Sequence, residues 1–496
     1  MDYSNLKVLI VSSEVKPYSK SGGLGDVAGS LPVALKRLGV DARVIFPKYS
    51  SIPEDKLAGQ TRLCSLTGHL SWRAQTANIY SITPKDDDEV QVYMVENDYY
   101  FGREGYYGYG DDYERFAFFS KISIEFLTRI GFKPDVLHFN DWQTGLGCTY
   151  LRDIYRNFIF YENMKSLFSI HNIRYQGIFG RETLWNVGLN DGYFTNGSLE
   201  FFGNISLLKA GVYHSDAVLT VSETYAQEIL TNAYAYGLEG LLGKRAHENA
   251  LFGVLNGIDT VSHDPATDKR IFVNYGKGSE NTPDWLDPHD CIAKKRENKR
   301  QLQSMFGLPE ADVPMLGVVS RLANQKGFDI IAVCLEELMS LDIQMVVLGT
   351  GEQRYEDLFR DFAWRYHDKI SAQISFNDEI AQRIYAASDM FLMPSLFEPC
   401  GLGQMFAMRY GSSPIARKTG GLADTVKQYN YETREGTGFV FEDYLASGLM
   451  WAIREALHCY HSEHWSNVVK NCMESDFSWR RSALSYAKIY SDLIKQ

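Results

Sequence analysis

Asp389-Met-Phe-Leu-Met-Pro394-Ser-Leu-Phe-Glu398-Pro-Cys400-Gly401-Leu-Gly403 is a short apolar run, a turn, and the opening of a stretch to Tyr410 with few polar positions. The pattern predicts a buried strand feeding a helix, with Glu398 close to the helix N-terminus. Lys418-Thr419-Gly420-Gly421-Leu-Ala-Asp424 supplies a second glycine-rich turn soon after. N–H groups at a helix N-terminus attract anionic oxygen, and glycines let a ligand approach the main chain without a Cβ in the way. A helix-capping carboxylate, worth about 0.3–1 kcal/mol, is the plainer use of a lone glutamate there.

The same strand, turn and helix pattern recurs at two other places. Lys7-Val-Leu-Ile-Val11 runs into Lys20-Ser-Gly22-Gly23-Leu24-Gly25-Asp26, with a helix expected from about Val27 to Leu38. No Gly-Lys-Ser/Thr follows, so this is not a Walker motif, nor does it match G-x-G-x-x-G. Met315-Leu-Gly-Val-Val-Ser320-Arg321-Leu-Ala-Asn-Gln-Lys326-Gly327 places two cations just after a buried-type strand. Carboxyl ends of strands are where open α/β sheets bind ligands, and such cations suit a diphosphate.

Working outward, apolar runs at Lys7–Val11, Ala42–Phe46, Val90–Val95, Val136–Phe139, Ser166–Ile170 and Ala217–Val221 read as strands separated by segments of helical length. A second alternation begins near Val313, with strands at Met315–Ser320, Gln344–Leu348, Ile370–Ser375, Met390–Met393 and Ser413–Ala416. Alternating strands and helices imply parallel sheets with right-handed crossovers. The fold class expected is α/β with two Rossmann-like parallel-sheet domains. Ligand-binding strand ends then face one another across a deep cleft.

These motifs, with His138-Phe-Asn140-Asp141-Trp142-Gln-Thr-Gly145, His171-Asn-Ile-Arg-Tyr175-Gln176-Gly177 and Leu255-Asn256-Gly257-Ile-Asp259, occur in an order that resembles the bacterial and plant glycogen or starch synthases. The resemblance covers nearly the whole chain. It implies the two-domain GT-B architecture and glucose transfer from ADP-glucose, with retention of configuration, to the non-reducing end of an α-1,4-glucan. The domains expected are 1–258 on the acceptor side, 259–475 on the nucleotide-sugar side, and a helix over 476–496 packing back on the first.

By the same resemblance Glu398, Asp141, His171, Arg321 and Lys326 carry the catalysis. Lys20, Gly22, Gly23, Asp26, Asn256, Phe376, Cys400, Gly401, Leu402, Thr419, Gly420 and Gly421 hold the donor, with Phe376 stacking on adenine and the N–H groups near Gly23 and Gly421 on the diphosphate. Tyr100, Phe101 and Trp142 are placed on the acceptor side. Two positions depart from related patterns. Phe406 stands where many nucleotide-sugar transferases carry a ribose-binding glutamate, and Phe101 stands where the family often has tyrosine.

Bulk properties bound the rest. The 496 residues are 45% hydrophobic and 23% charged, which places the chain among globular proteins. A net charge of −12 repels nucleic acid and anionic membranes, so no such partner is expected, and an anionic nucleotide sugar must be met by local cations. Seven cysteines without C-x-x-C spacing suggest a reducing cytoplasm rather than a disulfide framework. No signal segment or membrane span is read from the sequence.

No cofactor or metal is expected, because the cations named above relieve diphosphate charge. Asp86-Asp87-Asp88 reads as a solvated turn rather than a metal site. The segment Tyr99-Tyr-Phe-Gly-Arg-Glu-Gly-Tyr-Tyr-Gly-Tyr109 reads as a surface loop whose rings suit the apolar faces of glucose units. A catalytically weak glucan-binding scaffold, a UDP-glucose transferase of the same architecture, and a phosphorylase stand as alternatives. The last of these lacks a lysine in a context suited to pyridoxal phosphate.

Overall fold

The structure is a computed structural model that describes residues 3–84, 89–276 and 288–495. Asp86-Asp87-Asp88 lies outside the described residues. The chain divides into two compact units, Met1–Gly257 with Trp479–Gln496, and Ile258–Ser478.

The first unit is built on a nine-stranded sheet in the order Leu251–Gly253, Ala217–Thr220, Lys165–Ile170, Val136–Asn140, Lys7–Val11, Asp41–Pro47, Gln91–Glu96, Arg73–Ile82, Thr61–Leu70. The seven strands from Leu251–Gly253 to Gln91–Glu96 pair in parallel. The residues of Lys7–Val11, Val136–Asn140, Lys165–Ile170 and Ala217–Thr220 are buried almost without interruption, as parallel strands covered on both faces require. The two outer strands form an antiparallel hairpin that the sequence reading did not anticipate. A small antiparallel sheet of Ile178–Gly180, Asn204–Ser206 and Glu200–Phe201 is a further addition. The chain returns to this unit as the helix Trp479–Ile494, whose buried Trp479, Ala483, Tyr486 and Tyr490 pack toward the helix Gly23–Lys36 and the strand Lys165–Ile170. Tyr490 Oη bonds the buried His138 Nδ1 at 2.8 Å, tying this last helix to the sheet.

The second unit carries a six-stranded parallel sheet, Ile370–Gln373, Gln344–Leu348, Met315–Val319, Met390–Met393, Ser413–Arg417, Phe439–Phe441. Its core gathers Met315, Val346, Leu348, Ile384, Phe391 and Tyr410, all at or near zero exposure. Lys295 is buried beneath them and its ammonium donates to the carbonyls of Tyr385, Ala386 and Tyr410, which satisfies the charge; burial still lowers its pKa to about 8. No helix among the described residues is long and apolar enough to cross a membrane.

In both sheets the chain reverses its direction of strand addition at one point. The reversal falls between Lys7–Val11 and Val136–Asn140 in the first unit, and between Met315–Val319 and Met390–Met393 in the second. The loops leaving adjacent strands diverge there and leave a crevice at the carboxyl ends, the usual ligand position of such sheets.

Candidate active site

Many of the residues singled out from sequence lie beside these two switch points, one cluster on each unit. In the second unit, Arg321 and Lys326 follow the strand Met315–Val319, and Glu398 follows Met390–Met393. Lys326 Nζ donates to Glu398 Oε2 at 2.5 Å, and Ser395 Oγ reaches the same oxygen at 3.1 Å. Glu398 is buried, and Lys326 is the cation paired with it. Gly327, at φ 82°, turns the chain so tightly that a Cβ there would lie 2.1 Å from the Pro394 carbonyl oxygen, and this close approach brings Lys326 to Glu398. Arg321 is exposed and makes no ion pair among the described residues; its guanidinium has only a long contact, 3.4 Å, to Gln325 Oε1.

The glycine pair behaves differently from expectation. Thr419, Gly420 and Gly421 are buried, and the Gly421 N–H donates to the Glu398 carbonyl at 3.0 Å. That N–H is therefore not available to a diphosphate, and its assignment as a phosphate donor is corrected. The second turn instead clasps the first. A Cβ on Gly420 would fall 2.1 Å from the Glu398 carbonyl oxygen, and one on Gly421 would fall 2.0 Å from that of Cys400. Gly421→Ala should therefore cost roughly 1–3 kcal/mol of stability through overpacking. A thermal melt should show a drop of several degrees, and activity should fall at least tenfold at a temperature where the variant is still folded.

Cys400 is buried, while Gly401, at φ 70°, and Leu402 are partly exposed. The Gln404 amide donates to the carbonyls of Cys400 and Gly401 and to Thr425 Oγ1, fixing the turn just before the helix Gly403–Arg409. Phe376, on the loop after Ile370–Gln373, is 86% exposed and offers an open ring face. Phe406 stacks on His263 at 4.3 Å.

In the first unit Lys20 pairs with Asp26 at 2.8 Å on the surface, and Gly22 and Gly23 are exposed at the start of the helix Gly23–Lys36. Beneath them lies Glu14, which the sequence reading missed. Its buried carboxylate accepts from the Ser21 N–H, from Ser21 Oγ at 2.6 Å and from Tyr107 Oη, and so pins the Lys20-to-Gly23 turn to the sheet.

Asp141 and His171 leave the next two strands. Asp141 has φ 56° and ψ 180°, a region nearly restricted to glycine, at a cost of about 1–3 kcal/mol. Its Oδ1 accepts the His171 N–H at 2.7 Å. Burial raises its pKa to about 7, against the pull of the His171 and Asn172 N–H groups, and nearby Glu14 pushes the same way. The Asn140 amide donates to Val11 and His138 carbonyls, so its Oδ1 accepts from His171 Nε2 at 2.9 Å. The proton then sits on Nε2 and leaves a lone pair on Nδ1. Burial lowers the His171 pKa to about 4, so the ring is neutral at pH 7. Asn256 is buried with Oδ1 lacking a hydrogen-bond partner among the described residues. A buried acceptor left open in this way suits a ligand hydroxyl.

The acceptor-side rings divide. Trp142 is half-buried against Phe116, Phe179 and Tyr107. Tyr100 and Phe101 have zero exposure, which removes them from contact with an acceptor and corrects that assignment. Asn97 caps a helical turn over Asp98–Phe101 that rotates both rings into the core, where Tyr100 Oη is bonded to Glu114.

Comparison with known proteins bears on these clusters. Residues 7–244 match the family described as starch synthase catalytic domain, and residues 300–471 match glycosyl transferases group 1. The chain is 46% identical over 493 residues to a glycogen synthase of Clostridium novyi, covering 99% of each, and 46% identical over 495 residues to one of Clostridioides difficile, covering 98% of this chain and all of that one. The catalytic domain of starch synthase IV from Arabidopsis thaliana, bound to ADP and acarbose, superposes with a TM-score of 0.88 at 32% identity, covering 99% of this chain and all of that one.

Proposed function

The chain belongs to the glycogen synthases, and from that membership we propose that it transfers glucose from ADP-glucose to the non-reducing end of an α-1,4-glucan with retention of configuration. The observation that carries this reading is the full-length likeness to glycogen synthases, and the ion-paired Glu398 and Lys326 with an exposed Arg321 that has no ion pair among the described residues give it a chemical basis. Breaking the bond to the anomeric carbon leaves positive charge on the sugar and negative charge on the departing diphosphate. Arg321 and Lys326 supply the compensating cations, and the Glu398 carboxylate holds Lys326 in place while lying beside the turn whose backbone groups suit sugar hydroxyls.

On the first unit, Lys20 and the exposed N–H groups near Gly23 suit phosphate oxygens, and Asn256 Oδ1 suits a donor hydroxyl. The neutral His171 and the strained, buried Asp141 suit contact with sugar. Phe376 offers the stacking face for adenine, which favours ADP-glucose over UDP-glucose. The cationic set makes a metal dispensable in this account, and the absence of a disulfide among the described residues fits a reducing cytoplasm.

The test is elongation of glycogen from labelled ADP-glucose in excess chelator, with UDP-glucose in parallel. Incorporation should be insensitive to chelator, should exceed that from UDP-glucose at least tenfold, and should be released by an enzyme specific for α-1,4 linkages. A strict divalent-ion requirement, or equal use of UDP-glucose, would overturn the corresponding part.

A further inference from the structure

His171 leaves the strand Lys165–Ile170 and is held at two points by consecutive residues at the end of the neighbouring strand Val136–Asn140. Its main-chain N–H donates to Asp141 Oδ1 at 2.7 Å, and its ring Nε2 meets Asn140 Oδ1 at 2.9 Å. Asn140 is 1% exposed, and its amide cannot exchange ends. Its Nδ2 lies 3.1 Å from the carbonyl oxygens of both Val11 and His138, which only accept, so the oxygen end must face the imidazole. Thr144 Oγ1 donates to the Asn140 carbonyl at 2.8 Å and pins the main chain as well. Among the described residues nothing else competes for Nε2. The His138 ring is turned to Ser169 and Tyr490, and Asp141 Oδ1 takes the main-chain N–H. His171 Nδ1 makes no hydrogen bond among the described residues, and the residue keeps part of its surface open.

We propose that Asn140 is a positioning residue that fixes the orientation and tautomer of the His171 ring, so that Nδ1 is presented to the donor sugar as an acceptor for one hydroxyl. The proposal deepens the glucosyl-transfer reading, from which the contact between His171 and sugar is taken. An imidazole exchanges its proton between two nitrogens, and the hydrogen bond made by one decides what the other can do. An amide oxygen accepts without bringing charge, which keeps the ring neutral, whereas a carboxylate at position 140 would favour imidazolium and remove the acceptor. The low pKa of His171, about 4, agrees with such a neutral ring. A ring released at Nε2 rotates and changes tautomer, and its contact with sugar must be ordered anew at each binding event.

The experiment has a spectroscopic arm and a kinetic arm. Nitrogen NMR of histidine-labelled protein, with His171→Ala to assign the signal, reads which ring nitrogen carries the proton at pH 7. Turnover of ADP-glucose, and of donors lacking one glucose hydroxyl in turn, is measured in the native chain, Asn140→Leu, His171→Ala and the double variant. Native His171 should carry its proton on Nε2, and Asn140→Leu should show a mixture. One deoxy donor should be used about tenfold less well than ADP-glucose by the native chain, as expected for one lost hydrogen bond. In Asn140→Leu that penalty should shrink to about threefold or less, because the acceptor is no longer fixed. A purely structural role would lower every donor equally and leave the penalty intact. The double variant should be no more than about twofold worse than His171→Ala, since Asn140 acts through that ring. A proton on Nδ1 in the native chain, or no deoxy donor whose penalty depends on Asn140, would overturn the proposal. The native spectrum needs no variant, and Asn140→Ala serves in the kinetics should Asn140→Leu not fold. A chain with the Nε2 proton that transfers no glucose would sink the transfer reading, and with it the sugar contact, while upholding Asn140 as the residue that sets the tautomer.

Discussion

Glu398→Gln should lower kcat/KM with ADP-glucose and glycogen by about 10²–10³, the usual effect of removing one preorganised charged group from a transfer site. The expected cause is specific. Glu398 is buried and its Oε2 holds Lys326 Nζ at 2.5 Å. A neutral amide releases that ammonium, so the diphosphate loses an oriented cation at the moment its charge grows. Lys326→Met should cost a similar factor for the same reason. The double variant should be no more than a fewfold worse than the poorer single, because the two groups act as one unit and their effects do not add. Independent losses that multiply would show that Glu398 and Lys326 act separately. Stability should also fall in Glu398→Gln, by less than the 3–5 kcal/mol of a fully buried broken pair, since Lys326 is partly open to solvent.

Asp141→Asn should abolish most activity, by at least 10²-fold, and at the same time stabilise the folded chain at neutral and alkaline pH. The sign follows from the raised carboxyl. In the folded state the group stays protonated up to about 7, and in the unfolded chain only to its ordinary value of 3.8. Between those values the folded state binds more protons, so stability is full below about 4 and is lost as pH rises to 7. The loss amounts to about 4 kcal/mol at 1.36 kcal/mol per pKa unit. Asparagine cannot ionise and can still accept the His171 N–H. The neutral His171 and His138, lowered to about 4 and about 3, favour folding as pH rises toward 6.5, and they do so in both proteins. Melting midpoints of the two proteins should therefore coincide near pH 4 and separate, with the variant higher, by pH 8. Equal midpoints at pH 8 would contradict the buried, strained carboxylate described here.

Much of this was legible because apolar runs that fit parallel strands are buried on both faces. Gln344–Leu348 and Met390–Met393 lie where the pattern placed them, and the turn after the second carries Glu398, Cys400 and Gly401, which the motifs named. The hairpin Thr61–Leu70 and Arg73–Ile82 escaped because its residues are largely polar and half of each strand faces solvent, so no apolar run marks it. Phe439–Phe441 is only three residues long. The helix at Gly23 begins four residues before the expected Val27, since glycines weaken a helical reading while their bare N–H groups are what the turn presents.

Contacts between distant loops were not legible at all. Nothing local to Gly421 tells that its N–H closes on the Glu398 carbonyl, and Glu14 meets Tyr107 across 93 positions of sequence. Tyr100 and Phe101 were misplaced because glycines and charges nearby suggested a loop, whereas the Asn97 cap makes a helical turn that buries both.

The most direct test of the account is the release of ADP from ADP-glucose by the purified chain, with and without glycogen. The account predicts release that depends on glycogen and disappears in Glu398→Ala. Release that proceeds equally without glycogen, or that survives in Glu398→Ala, would contradict the assignment of this chain's buried glutamate turn to glucosyl transfer.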